Sequence, residues 1–170
     1  MKESIIKNNE KYLIEELLDK LYYKPKPIIL CLGSEKIIAD SLGPLVGYFL
    51  QTQYKINTFV YGALNRAITT ENFLYYYEHI LLMHKNQPIL VVDASLGTIE
   101  KLGTIQIKNS GIVFANNKYA KEVGDVSITG IVLPQGLQCK CLLKQTKLAL
   151  VYDMAQKIAS AIFHTFKVLY

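Results

Sequence analysis

The chain has 170 residues, a formal net charge of +5 and an apolar fraction of 51%. That apolar content excludes a disordered chain, and three cysteines are too few to build a disulfide scaffold of this length. No uncharged apolar run reaches the roughly 18 residues that a membrane span needs, so we expect one ordinary domain in a reducing cytoplasm.

The first 24 residues predict an amphipathic helix that lies outside the main domain. Apolar side chains recur at helical spacing between Ile5 and Leu21, and the acidic residues among them exclude a signal peptide. A Lys-Pro-Lys-Pro segment at 24–27 separates this helix from the rest of the chain. We therefore divide the chain into a helical extension, residues 1–24, and a single domain, residues 25–170. The extension packs on the domain as an added arm or covers its site.

The domain itself predicts five strands and three helices. A continuous apolar run at 27–33 is typical of a strand that is buried on both faces. Further strands are predicted at 58–61, 89–93, 104–108 and 126–133, of which the alternating segment 104–108 suits a sheet edge. Helices are predicted to begin near Asp40, Thr70 and Leu142, the last reaching Phe166. The order β-α-β-α-β-β-β-α predicts a three-layer α/β/α sandwich around a mostly parallel sheet.

Polar residues follow two of the buried strands, where ligands bind in an open α/β sheet. Two of them, Asp40 and Asp93, would face each other across one edge of the sheet. Two converging carboxyl groups cannot easily both ionise, so one can activate a water while the other protonates a leaving group. With a third ligand they would instead suit a metal. The candidates after the two strands are Ser34, Glu35, Asp40, Ser41, Asp93, Ser95 and Thr98.

Local structural roles compete with this interpretation. Asp40 precedes a predicted helix, where aspartate is a favoured N-cap, and Asp93 ends a predicted strand and can support a turn. In the segment before the last strand, Asn117 and Lys118 either stabilise a developing oxyanion or belong to an ordinary surface loop.

Other site classes find little support. The loop after the first strand lacks the glycine spacing of phosphate or dinucleotide sites, and Cys139 and Cys141 have no second pair with which to form a zinc site. The one arginine, Arg66, and the scattered lysines do not suit nucleic-acid readout. Tyrosines at 75–77 surround a predicted helix and serve packing or a homo-oligomer contact.

Three segments resemble the YyaC family of sporulation proteins from endospore-forming Firmicutes. They are LCLGSEKIIADSLGPLVG, VVDASLGTIEKLGTIQI and VGDVSITGIV, and the likeness runs from about Ile28 to about Ile158. This family is more distantly similar to spore germination proteases and to hydrogenase maturation endopeptidases. The resemblance implies their shared α/β/α fold around a five-stranded mixed sheet.

The resemblance also implies roles for the two aspartates. The germination protease is an atypical aspartic peptidase that degrades small acid-soluble spore proteins, and its functional aspartates match Asp40 and Asp93. In the hydrogenase endopeptidases the same positions carry nickel-binding acids, joined by a later histidine. This chain has no histidine between His84 and His164, which favours a metal-free pair. The segments VFAN before Asn117 and LPQG at 133–136 depart from the family pattern.

These observations predict a cytoplasmic, metal-free and cofactor-free peptidase of the sporulating cell or forespore. Its substrate is a protein or peptide, small spore proteins among the candidates, with no nucleic-acid or membrane partner. The alternatives are a non-catalytic peptide- or partner-binding protein of the same programme and a metal-dependent peptidase. The predicted residues are Asp40 and Asp93 as the catalytic pair, Ser41, Ser95, Asn117 and Lys118 as substrate contacts, and Glu35 as an extra acid.

Overall fold

The computed structural model describes residues 9–113, 122–135 and 146–170. The helices are α1 (Glu10–Leu21), α2 (Leu42–Thr52), α3 (Phe73–Met83) and α4 (Leu148–Leu169). The strands are β1 (Ile28–Cys31), β2 (Val60–Tyr61), β3 (Ile89–Gly97), β4 (Ile105–Lys108), β5 (Ile112–Val113), β6 (Glu122–Val123) and β7 (Val126–Pro134).

Five of these strands form one mixed sheet in the order β2-β1-β3-β7-β4. All neighbours run parallel except β4, which pairs antiparallel to β7 at the edge. The predicted fold class, a three-layer sandwich around a mostly parallel five-stranded sheet, is thereby confirmed. The prediction did not include the short antiparallel pair β5–β6. Each of these strands has only two residues, which is too short to show a hydrophobic periodicity.

The sheet separates two apolar cores because successive side chains of a strand point to opposite faces. On one face, Ile29 and Leu90 pack with buried residues of α1, α2 and α4. On the other face, Leu30 and Val91 pack with residues of α3.

Helix α1 packs on the domain through Leu13, Leu17 and Leu21, which are buried in the same core as α2 and α4. Its contacts fall on α4 and β4. Helix α1 therefore packs on the side of the sandwich where β4 forms the edge of the sheet. A domain boundary at residue 24 stays a prediction. Within the described part of the chain, no helix is both long and apolar enough to cross a membrane.

Three helices begin later than predicted. Helix α2 begins at Leu42, because Asp40 closes a separate 3-10 turn, Ile38–Asp40. Helix α3 begins at Phe73 rather than near Thr70. Helix α4 begins at Leu148 rather than Leu142, and the intervening residues 142–145 lie outside the described ranges.

Strand β3 is longer than predicted, and this difference shapes the site. It was expected to end at Asp93, yet residues 93–97 stay extended and pair with β7 as far as Pro134, across a bulge after Ser95. Strand β1 pairs with β3 only as far as Val92. Beyond it, Gly33 adopts φ +128°, a conformation that suits glycine, and a Cβ there would lie 2.1 Å from the Asp40 carbonyl oxygen.

Candidate active site

A cavity of about 680 Å³ opens where β1 leaves the side of β3. It lies beside the carboxyl ends of the parallel strands, the usual place for a ligand in such sheets. Both predicted aspartates line it. The full set is Gly33, Ser34, Lys36, Ile37, Asp40, Thr69, Thr70, Glu71, Asp93, Ala94, Ser95, Leu96, Ile112, Val113 and Thr129.

Asp40 reaches the cavity from the 3-10 turn that precedes α2. Its backbone carbonyl accepts the Ser34 N–H at 2.9 Å, which folds the loop after β1 back upon itself. Burial raises the pKa of the Asp40 carboxyl, and the backbone N–H of Ser34 acts in the opposite direction. The N-cap position of α2 belongs to Ser41, not Asp40. The capping interpretation of Asp40 is therefore wrong, and its carboxyl faces the cavity.

Asp93 reaches the same cavity from within β3, where it is aligned with Thr129 of β7. Its Oδ1 accepts the Ala94 N–H at 2.8 Å. Burial raises the pKa of Asp93 to about 7, the Ala94 N–H opposes the shift, and the negative charge of Asp40 adds to it. Asp93 therefore holds its proton up to near-neutral pH.

The other predicted site residues divide into three groups. Ser95 lines the cavity beside Asp93. Ser41 and Glu35 are absent from its described lining: the Ser41 hydroxyl is buried and donates to the Ile38 carbonyl at 2.8 Å, and Glu35 Oε2 accepts the Asn65 N–H at 2.6 Å. These bonds give both side chains local structural roles; Ser41 as a substrate contact and Glu35 as an extra acid stay predictions. Asn117 and Lys118 lie outside the described residues.

Sequence reasoning missed the wall of the cavity opposite β3. Thr69, Thr70 and Glu71 line it, whereas the sequence placed Thr70 at the start of a helix. The turn is fixed by Asn72, whose Oδ1 accepts the Thr69 N–H at 2.9 Å. Lys36 adds a cation to the lining. Its position in the loop that holds Ser34 was the one signal in the sequence that pointed to it.

An apolar pocket of about 250 Å³ adjoins the aspartates. It lies beside the larger cavity, with which it shares Ile37, Asp40, Ala94, Ser95 and Leu96. Its apolar walls come from elements far apart in the sequence. These walls are Ile37, Ala39, Leu96, Val132 and Leu133.

In the part of the chain that the structure describes, the acids of the cavity are not grouped as metal ligands. In residues 9–113, 122–135 and 146–170, no group of three or more His, Cys, Asp or Glu side chains is placed to hold an ion. Zinc and similar ions need at least three protein ligands. The described residues therefore do not fit the metal chemistry of the hydrogenase endopeptidases.

Comparisons with known proteins bear on both the family and the fold. The family model "Protein of unknown function (DUF1256)" matches residues 1–161. "Uncharacterized protein YyaC" of Bacillus subtilis (strain 168) is 35% identical over 140 residues, which covers 81% of this chain and 68% of that protein. A crystal structure of the NiFe hydrogenase maturation protease HycI from Thermococcus kodakarensis KOD1 matches with a TM-score of 0.58 and 18% identity, over 89% of this chain and 98% of that one. These matches confirm the resemblance to YyaC proteins and the likeness of fold.

Proposed function

The chain belongs to the DUF1256 family, and on that premise we propose that it is a peptidase whose catalytic pair is Asp40 and Asp93. One observation carries the proposal: both carboxyl groups line one cavity at the carboxyl edge of the sheet, and both have raised pKa values. Burial raises both pKa values, and the charge of Asp40 adds to the shift of Asp93; titratable groups perturbed in this way inside a cleft are typical of acid–base catalysis.

The two environments favour different roles for the two acids. Asp93, with a pKa of about 7, is the protonated partner in mildly acid solution. We assign Asp40 as the ionised partner, because the Ser34 N–H favours its carboxylate form. Asp40 takes a proton from water while the water oxygen attacks the peptide carbonyl carbon, and Asp93 gives its proton to the leaving nitrogen as the C–N bond breaks. Exchange with solvent then returns both acids to their starting states.

Other residues of the cavity support this chemistry. The Lys36 ammonium supplies positive charge for the oxyanion that develops on the carbonyl. Asn117 and Lys118 remain predicted contributors to the same task. The adjoining apolar pocket supplies room for an uncharged substrate side chain.

The proposed substrate is a protein segment. The HycI crystal structure, similar in fold, is that of a hydrogenase maturation protease, and the YyaC resemblance favours a substrate from the sporulating cell, with small spore proteins as first candidates. A non-catalytic peptide-binding role in the same programme is the second candidate, because a cavity of this shape holds a peptide whether or not it is cut.

The proposal is tested by cleavage of a library of N-acetylated, C-amidated heptapeptides, in which each cut creates a free α-amine for labelling and mass spectrometry. Asp40→Asn and Asp93→Asn should each slow the appearance of amines by at least about 100-fold, since one acid–base group typically contributes that much. Activity should also fall as the pH rises through about 7, where Asp93 loses its proton.

Asp153→Asn is the matched control, because Asp153 is exposed on α4 and pairs with Lys157 on the same helix. It should cleave as well as the parent protein. Full activity in either cavity variant would remove the proposed pair. Library peptides that are bound by the parent but never cut would favour the non-catalytic role.

A further inference from the structure

Among the described residues, the part of β3 beside the aspartates has one edge that no strand pairs with. Val92 directs its carbonyl toward β1 and accepts the Leu32 N–H at 2.8 Å, whereas Gly97 directs its carbonyl toward β7 and accepts the Gln135 N–H at 2.6 Å. Backbone groups of successive strand residues point to alternate neighbours. Ala94 and Leu96 therefore direct their backbone groups away from β7, and in the described ranges no strand lies there.

Two backbone groups on that edge remain available. The Ala94 N–H already donates to Asp93 Oδ1, and the Leu96 carbonyl accepts the Ser95 hydroxyl at 3.3 Å. The Ala94 carbonyl and the Leu96 N–H find no partner among the described residues. In parallel pairing, the backbone N–H of one residue on the neighbouring strand donates to the Ala94 carbonyl, and the carbonyl of that same residue accepts the Leu96 N–H. Antiparallel pairing would need both the N–H and the carbonyl of Ala94, or both of Leu96. The Ala94 N–H and the Leu96 carbonyl already have hydrogen-bond partners.

The cavity provides the space for such a strand. A paired strand lies about 4.8 Å from its neighbour, and β1 would occupy that position had Gly33 not turned the chain away. Gly33 and Ser34 therefore form a wall of the cavity instead, with Thr69 and Thr70 beside them. A segment that enters here lies along β3 and passes both aspartates.

The two faces of the edge differ in chemistry. Asp93 and Ser95 project to the face of α3, two residues apart along the strand, as Val91 does. Ala94 and Leu96 project to the opposite face, where the apolar pocket of about 250 Å³ lies. Side chains of an added strand alternate in the same way. One therefore faces Asp93, and each of its neighbours faces the apolar pocket, which Asp40 also lines.

We propose that the substrate binds as an extended segment that pairs with Ala94 and Leu96 as an added strand running parallel to β3. An apolar side chain next to the central residue enters the pocket formed by Leu96, Val132 and Leu133. Backbone pairing gives affinity and the pocket gives selectivity, as in other strand-addition complexes. This inference rests on the proposed function for the nature of the substrate, an unfolded or extended protein segment.

The experiment measures retention of the same blocked heptapeptide library on the immobilised protein at low temperature, with retained and cut peptides identified by mass spectrometry. Leu96→Pro removes the N–H on the free edge and should lower retention by about tenfold, the value of one strong hydrogen bond. Leu96→Ala keeps the N–H and should bind more tightly than Leu96→Pro. Peptides retained by the parent protein should be enriched in apolar residues at one position.

Ile99→Pro is the matched control. Ile99 is 69% exposed, begins the 3-10 helix Ile99–Lys101 and is absent from the described cavity lining, and proline suits a first helical position. It should retain peptides as the parent does. If Leu96→Pro fails to fold, replacing Leu96 by its α-hydroxy acid removes the N–H alone and gives the same comparison.

The outcomes separate this inference from the proposed function. Equal retention by the parent and Leu96→Pro, or no retention by the parent, overturns the added strand. Retention that depends on the Leu96 N–H without any cleavage supports the strand and contradicts the peptidase. Cleavage that survives Leu96→Pro unchanged supports the peptidase and contradicts the strand.

Discussion

The two halves of β3 belong to one continuous strand and behave differently. Residues 90–92 pair on both sides, with β1 and β7, and Leu90 and Val91 are fully buried. Within the described ranges, residues 93–97 pair with β7 alone, and Leu96 is 57% exposed at the cavity. One strand thus serves the core at its start and borders the candidate site at its end.

The pairing of β3 changes because the neighbouring strand β1 ends beside Val92. At Gly33 the chain leaves the sheet, and the space it vacates becomes the cavity. Asp93, the first residue after this point, keeps a position in the strand and lines the same cavity as Asp40, whose charge acts on it. Rigid pairing on one side and open space on the other hold an acid firmly where a substrate can reach it.

The largest effect on stability is expected from the first half. Leu90→Ala removes a fully buried side chain from the core shared with α2 and α4, and should lower the free energy of unfolding by about 3 kcal/mol. Urea unfolding followed by circular dichroism measures the change. A loss below about 1 kcal/mol would show that the first half is not the core that its burial indicates.

An intermediate effect is expected from Asp93→Asn, which should raise the free energy of unfolding instead of lowering it. Burial raises the pKa of Asp93 to about 7 in the folded state, above the value of about 3.9 for an unfolded aspartate. The folded protein therefore binds this proton more tightly, and stability is lost as the pH rises from about 4 to 7. A difference of about three pKa units corresponds to about 4 kcal/mol, and solvent in the open cavity reduces this value. Asparagine carries no charge, so the variant should match the parent near pH 4 and be more stable by about 2 kcal/mol near pH 8.

Thermal unfolding at these two pH values checks that expectation. The exposed Asp153→Asn variant should differ little from the parent at both. If Asp93→Asn is less stable than the parent near pH 8, burial of the charged Asp93 carboxylate does not destabilise the folded protein, and the expectation is wrong. A stabilised but inactive variant is the pattern expected of a functional residue.

The smallest effect on stability is expected from Leu96→Ala. This is the same substitution as Leu90→Ala, on the same face of the same strand, yet Leu96 is largely exposed. The free energy of unfolding should change by less than about 0.5 kcal/mol. A loss comparable to that of Leu90→Ala in the same urea titration would show that something covers the second half in solution.

Much of the fold was predictable from the sequence because its signals are local. Apolar runs such as that ending at Gly33, and amphipathic segments such as that around Leu17, predicted the strands and helices of the sandwich. The residues at which helices begin were predicted less accurately. Thr70 and Asp40 look like capping residues, yet side-chain and backbone bonds around Asn72 and Ser34 form turns there instead.

The candidate site was predictable only in part. Parallel strands end at one edge of a sheet, so Asp40 and Asp93 could be placed near each other from the strand order; their catalytic role stays a prediction. Ser41 and Glu35 follow the same strand as Asp40. Their bonds to Ile38 and Asn65 could not be read from spacing, because spacing does not say which way a side chain points.

The sequence by itself determined the order of strands and helices, the two faces of the sheet and the neighbourhood of the two aspartates, because burial patterns are written in residue types along the chain. Only the tertiary structure decided that β3 continues past Asp93 and that its far edge stays unpaired among the described residues. It also decided that Ile37 and Val132 meet beside Asp40. The physical reason is that pairing and cavities depend on which distant segment lies alongside, and the turn at Gly33 sets that here.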